Sequence, residues 1–300
     1  MGKFKEFRRG YQPWEHEGGG GSMMGSGVGG GDLHSSALDH DFVSTLGGPS
    51  AGPADPWEGL ADWLDATGWG TAHMEKQAAA CGVWLKGEGA KSVLEVGSAL
   101  GLTTKRLVRD GLKVTAVDPS PALVAHTKAN AKGAKVLECD LAELPSGPFD
   151  AVVSLRNALS RLAVEGQAEQ LLGAARKALK PRGLLSVAFF NREGLDEGAL
   201  NKVYPSEAFD YKGKRTLLYD QWQAHPDGGD RFVWAPLVMV GDYAIDWLRR
   251  AVPYRFFRLD EVRAALKAAG FEPLAAVDAA DGTSGASKAC RRIEVRARAK

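Results

Sequence analysis

Cysteine is scarce. Cys81, Cys139 and Cys290 are the whole complement in 300 residues. They are far apart and show no metal-ligand spacing, so a disulfide framework and a cysteine-bound metal are not expected, and a reducing, cytoplasmic setting is. Net charge is nearly absent too, at +1. No bulk field recruits nucleic acid or an anionic membrane, although a local patch stays open. Apolar runs are short and none approaches eighteen residues, so no membrane span is expected. The N-terminus lacks an apolar h-region, so no signal peptide is read. What remains is a soluble-type composition, 44% hydrophobic and 25% charged, long enough for a substantial core.

Glycine is abundant, and much of it lies before residue 56. Residues 1–17 mix a basic cluster (Lys3, Lys5, Arg8, Arg9) with Phe4, Phe7, Tyr11 and Trp14. Gly18-Gly19-Gly20-Gly21-Ser22 follows, then Met23-Met24. That order reads as a peptide fused ahead of a second start; a Gly-rich native tail is the alternative. Residues 18–54 read as a Gly/Ser/Pro-rich linker. Order is expected from Asp55-Pro56-Trp57, where Trp57, Leu60, Trp63 and Leu64 recur at helical spacing. Residues 55–300 then form one domain.

The organising stretch is 92–104. Val93-Leu94 and Val96 read as a buried strand that ends in the turn Gly97-Ser98-Ala99-Leu100-Gly101. A helical pattern with Leu102, Leu107 and Val108 follows. Strand, glycine turn and helix open a nucleotide-type βαβ unit, because glycine lets the backbone turn sharply and approach a ligand. Val114 to Asp118 is a second strand ending in an acid, 23 residues after Glu95. Such an acid suits a ribose diol. Pro119-Ser120 leads into a helix with Ser120 as cap. Lys135–Leu141 reads as a third strand ending in Asp140, and Phe149–Ser154 as a fourth. Leu184–Phe190 is the fifth, preceded by the helix stop Leu179–Gly183. Between the last two, Ala168, Leu171, Leu172, Ala175 and Leu179 mark an amphipathic helix. The turn does not follow the G-x-G-x-x-G spacing of dinucleotide folds, but a nicotinamide enzyme stays open on the strand pattern alone.

The turn resembles motif I of the class I S-adenosylmethionine methyltransferases, with Glu95, Gly97 and Gly101 in place and Ala99 where the middle glycine usually stands. The resemblance implies a doubly wound, mostly parallel seven-stranded sheet with an antiparallel C-terminal edge hairpin (Phe271–Leu274 and Ile293–Ala297), its arginines on the solvent side. It also implies S-adenosylmethionine as cofactor. Glu95, Gly97, Ser98, Ala99 and Gly101 would cradle it, Asp118 and Pro119 would meet the ribose, and Asp140 and Leu141 the adenine. Arg156, Trp69 and Lys76 would complete the cofactor site, Lys76 on the methionine carboxylate and Trp69 over the sulfonium. No metal ligand set is expected.

Residues of about 191–253 read as a cap insertion. Lys214–Trp222 and Arg231–Val240 form two strands about the turn Pro226-Asp227-Gly228-Gly229. Its Tyr204, Tyr211, Tyr219, Trp222, His225, Trp234 and Tyr243 suit a planar or cationic acceptor. Asn157, His225 and Tyr254 are the candidates for a role at the acceptor. The expected activity is methyl transfer to N or O of a small molecule. Two alternatives stay open: a macromolecular acceptor, and a non-catalytic cofactor-binding protein. The macromolecule would be residues 1–17 or a tRNA. The tRNA reading draws on a patchy resemblance of Trp69-Gly70-Thr71, Phe190-Asn191, Phe209-Asp210-Tyr211 and Lys214–Leu217 to the bacterial tRNA 5-carboxymethoxyuridine methyltransferases.

Overall fold

The structure is a computed structural model that describes residues 55–67, 71–241 and 246–300. The expectations for 1–17, for 18–54, for Trp69 and for Tyr243 fall outside those residues.

The short apolar runs form strands β1 (Ser92–Val96), β2 (Lys113–Asp118), β3 (Lys135–Glu138), β4 (Phe149–Ser154) and β5 (Leu179–Phe190). Ahead of them lie helices α1 (Leu60–Thr67) and α2 (Thr71–Gly87). Between them run α3 (Leu102–Arg109), α4 (Pro121–Asn130), α5 (Ala158–Leu162) and α6 (Ala168–Ala178). α7 (Leu259–Ala268), β12 (Phe271–Asp278) and β13 (Arg292–Ala299) close the chain. The main sheet has seven strands in the order β12-β13-β5-β4-β1-β2-β3. β1 to β5 are mutually parallel, and β13 is antiparallel to both β5 and β12. This is the doubly wound sheet expected from the sequence.

Both faces are buried, as a parallel sheet between helices requires. Leu94, Val152, Leu185 and Phe189 pack with Leu171, Leu172, Val262 and Leu266 of α6 and α7. Val93, Val114, Ala151 and Leu184 pack on the other face with Cys81, Leu85 and Leu107 of α2 and α3. Ser120 caps α4 as expected, accepting from Leu123 N–H at 3.1 Å with Pro121 in the first turn.

Three local expectations are corrected. The fifth strand does not start at Leu184: the helix stops at Ala178, β5 begins at Leu179, opposite Phe149, and the register jumps to Ala151 opposite Leu184. Lys180–Gly183 therefore bulge out, with Lys180 paired to Asp150. β3 stops at Glu138, and Asp140 instead starts the 3-10 turn Leu141–Glu143. The arginines of β13 do not simply face solvent, because β13 lies inside the sheet. Arg296 bonds Glu294 at 2.8 Å and lies over Trp84, Arg298 pairs with Glu88, and Arg292 faces a cavity.

A second sheet forms from β6 (Val203–Tyr211), β7 (Lys214–Ala224), β8 (Arg231–Trp234), β9 (Leu237–Val240), β10 (Asp246–Arg249) and β11 (Val252–Arg255). The hairpin about Gly228 and Gly229 is present, both glycines at positive φ. Its return strand is two strands rather than one. Pro236, which has no N–H to give a ladder, separates β8 from β9, and both pair with the long β7. Trp222, Phe232, Trp234, Tyr254 and Phe256 pack with Phe190 of the main sheet and with Leu60 and Leu64 of α1. Phe190 stacks on Phe256 at 4.9 Å and meets Trp222 edge-on at 5.2 Å. The second sheet and the main sheet thus share one aromatic core.

Candidate active site

A cavity of about 590 Å³ opens at the C-terminal ends of β1, β2 and β4, beneath the second sheet. Ligands collect at this edge of open α/β sheets. One end is made by the glycine turn. Gly97 and Ser98 donate to Val117 O at 2.9 and 3.2 Å, which folds the turn onto β2. Gly97 has φ 77°, and a Cβ there would lie 2.9 Å from Ala158 Cβ. Gly101 also has φ 77°, and its Cβ would lie 2.8 Å from Thr127 Cα. Ala99 holds a left-handed φ of 51° despite its methyl group, a strain of about 1–2 kcal/mol. Thr127 anchors the turn from α4: its hydroxyl donates to Ala99 O at 2.8 Å and meets Ser98 Oγ at 3.0 Å.

Asp118 ends β2 with one oxygen on Ala99 N–H and the other on Ser120 N–H, both at 3.0 Å. Burial pushes its carboxyl up to about 6 against those two bonds. Its remaining lone pairs are those that would accept from a diol. Pro119, Asp140 and Leu141 line the same end, with Val117 and Leu144 as apolar wall. Glu95 lies behind the turn and does not line the cavity. It is fully buried, accepts from Thr104 Oγ1 at 2.6 Å, and burial pushes it up to about 8. Ser98 and Gly101 are likewise behind the wall, so they shape the turn from within.

Side chains make much of the remaining lining: Phe190, Trp222, Trp234 and Tyr254, with Arg156, Asn157, Arg161 and Arg292. Tyr254 is buried, which pushes its phenol up to about 12. It remains protonated at neutral pH. Asn157 stands at φ 58° at the start of α5, and its buried Oδ1 has no protein partner. His225 is not at the cavity; it sits in the hairpin turn, where Nδ1 accepts from Asp227 N–H at 3.2 Å. Lys76 is exposed on α2 and also misses the cavity, which α2 reaches through His73 and Met74. Arg292 was not singled out from the sequence. Nothing in the alternation of β13 marks Arg292; only the position of the strand beside β5 does. Among the described residues no cluster of His, Cys, Asp or Glu is placed to hold a metal, and no helix is long and apolar enough to cross a membrane.

Residues 93–183 match the family described as a methyltransferase domain. The chain thus holds a stretch that matches a methyltransferase domain, within a fold shared with S-adenosylmethionine-dependent methyltransferases. A glycine/sarcosine N-methyltransferase of Parasynechococcus marenigrum is 31% identical over 151 residues, covering 48% of this chain and 51% of that protein. The chain thus spans about half the length of that relative. Two solved structures share the fold. One is an S-adenosylmethionine-dependent methyltransferase from Clostridium acetobutylicum, with TM-score 0.63, 15% identity, and coverage of 75% of this chain and 91% of that one. The other is the sugar N-methyltransferase KedS8 from Streptoalloteichus, with TM-score 0.58, 17% identity, and coverage of 95% and 99%.

The residues of the cavity fit S-adenosylmethionine. An acid with two fixed oxygens suits the ribose, and an apolar wall beside Asp140 suits the adenine. Gly97 lines the cavity, and the Cβ it lacks would press on Ala158, so α5 closes directly on the turn.

Proposed function

We propose that the chain moves a methyl group from S-adenosylmethionine to a nitrogen of a small-molecule acceptor. The observation that carries this reading is the cavity itself: it runs from Asp118 to Trp222 under the cap and, at about 590 Å³, has the size of a small-molecule site. A macromolecular acceptor would need an open groove at the aromatic end. The relative named a glycine/sarcosine N-methyltransferase, matched over about half its length, supports the same reading.

The bound cofactor supplies an activated methyl group on sulfonium, so the hard chemistry is not the protein's. Asp118 holds the ribose by its free lone pairs, and the Gly97–Gly101 turn lets the backbone lie against the ligand. Asp140 and Leu141 border the adenine. Phe190, Trp222 and Trp234 exclude water and fix the acceptor in line with the methyl group. Nitrogen is the proposed acceptor atom because it asks for no strong base, and of the candidates Tyr254 is held protonated and His225 is remote. A neutral amine brings its own lone pair. S-adenosylmethionine held there would supply the methyl group, and the acceptor nitrogen, positioned by the aromatic side chains, would give up its proton to water.

The test is to incubate the full chain with methyl-labelled S-adenosylmethionine and a size-fractionated extract, tRNA included. The reading expects label in the small-molecule fraction. Label on tRNA or on residues 1–17 would overturn it in favour of a macromolecular acceptor. Cofactor binding with no label anywhere would favour a non-catalytic binding protein.

A further inference from the structure

We infer that Gln77 and Glu294 are positioning residues: their buried hydrogen bond sets the rotation of α2 and so holds His73 and Met74 at the cavity. The inference rests on the methyl-transfer reading only for the ligand that reports it.

α2 reaches the site at its first turn, where His73 and Met74 line the cavity. Its apolar side chains specify its rotation poorly. Met74, Ala78, Cys81 and Leu85 are buried, but Ala79, Ala80 and Val83 are apolar too, and Val83 is 70% exposed. The apolar pattern therefore does not choose one side to bury. The run Ala78-Ala79-Ala80-Cys81-Gly82 also gives the middle of the helix a smooth surface. Low ridges resist turning weakly. A slip of one residue would turn α2 by about 100° and carry His73 and Met74 away from the cavity.

A polar bond does choose the side. Gln77, one turn after His73, is 1% exposed, and Glu294 on β13 is fully buried. Gln77 Nε2 donates to Glu294 Oε2 at 3.2 Å. The other carboxylate oxygen is fixed from the sheet: Oε1 accepts from Ser186 Oγ of β5 at 2.9 Å and from Arg296 Nε at 2.8 Å. Arg296 in turn lies over the Trp84 ring of α2 and donates to Gly282 O at 2.7 Å. Gly282 closes on the same turn of α2, since a Cβ there would lie 2.8 Å from Ala80 Cβ and 3.3 Å from Gln77 Cα. A buried ion pair adds little stability over an apolar filling of the same volume, because desolvation offsets the attraction. What the pair supplies is direction. Turning α2 would leave the Gln77 amide and a Glu294 oxygen buried without each other, and each would carry the desolvation cost of an unmade bond. Neither residue lines the cavity, so both act on a ligand only through α2.

The experiment compares the full chain with Gln77→Met, which keeps the length of the side chain and removes its donor. Amide hydrogen exchange followed by mass spectrometry is expected to be roughly tenfold faster over residues 74–78 and unchanged over 83–87. S-adenosylhomocysteine affinity, by calorimetry at a temperature where circular dichroism shows complete folding, is expected to fall roughly tenfold. Gln77→Glu sets two carboxylates against each other and is expected to lose more. Adding Glu294→Gln to it reverses the bond: the new amide donates to the new carboxylate, and its oxygen still accepts from Ser186 and Arg296. That double variant is expected to return to within about threefold of wild type. Unchanged exchange over 74–78 in folded Gln77→Met would overturn the inference. So would wild-type S-adenosylhomocysteine affinity in that variant, which would make the bond structural only, or no recovery in the double variant. Should Gln77→Met not fold, Gln77→Glu with and without Glu294→Gln carries the same comparison. If the wild type binds no S-adenosylhomocysteine, the methyl-transfer reading fails, and the exchange rates still decide whether the bond holds α2.

Discussion

The glycine-turn end of the cavity takes its shape from backbone geometry, and the cap end from packed aromatic side chains. At the first, Gly97 and Ala99 line the turn, and Asp118 is fixed by the N–H groups of Ala99 and Ser120. At the second, Trp222, Trp234, Phe190 and Tyr254 pack ring against ring, with Arg156 and Arg292 among them. Backbone walls tolerate little change in sequence, since a single Cβ collides. Side-chain walls change with each substitution while the strands stay in place. The first arrangement suits a constant ligand and the second an acceptor that differs from protein to protein.

The largest effect should come from the cap. Trp222→Ala empties a fully packed site and is expected to cost about 3–5 kcal/mol, read as a fall in Tm. Full stability retained would mean that the cap is not part of the shared core. Next is Gly101→Ala. Its Cβ would sit 2.8 Å from Thr127 Cα at a φ of 77°, so α4 must shift. A loss of about 2–3 kcal/mol and weaker S-adenosylmethionine binding are expected by calorimetry. A substitution without effect would show that the turn is slack.

Glu95 gives a pH test. Its folded value, about 8, lies above its ordinary 4.5, so the native state holds the proton more tightly. Its contribution is complete below pH 4.5 and is lost as pH rises through 8. Asp118 has the same sign, but its window closes near 6. Between pH 6 and 8 the slope therefore belongs to Glu95. Wild type should lose roughly 2 kcal/mol over that range, and Glu95→Gln should be flat. Equal slopes for the two proteins would contradict this. The smallest effect is at Ala99. Ala99→Gly relieves a strained left-handed residue but adds chain entropy in the unfolded state, so a gain of at most about 1 kcal/mol is expected in urea unfolding. A clear loss would mean that the Ala99 methyl makes a contact worth more than the strain.

The same division governs what the sequence discloses. The backbone-built end follows local rules, so Gly97, Gly101, Asp118 and the Ser120 cap can be read from strand, turn and helix signals. So can the sheet, whose buried strands are short apolar runs. The side-chain end depends on long-range placement. Arg292 becomes a cavity residue only because β13 inserts beside β5, 102 positions after Phe190 in the chain, a pairing that alternation along β13 does not encode. His225 drew notice as an aromatic-rich neighbour, but the hairpin turn carries it away from the cavity. Lys76 has the right charge on the wrong face of α2. Pro236 could have split the return strand in advance, since it cannot donate to a ladder.

The central claim is that Asp118 and the glycine turn hold the sugar and tail of S-adenosylmethionine. Isothermal titration of the full chain with S-adenosylmethionine, beside Asp118→Ala, tests it most directly. Stoichiometric binding that falls roughly 100-fold or more in the variant is expected, the loss of two charge-assisted bonds. Equal affinity in the two proteins, or binding of a nicotinamide dinucleotide in its place, would contradict it.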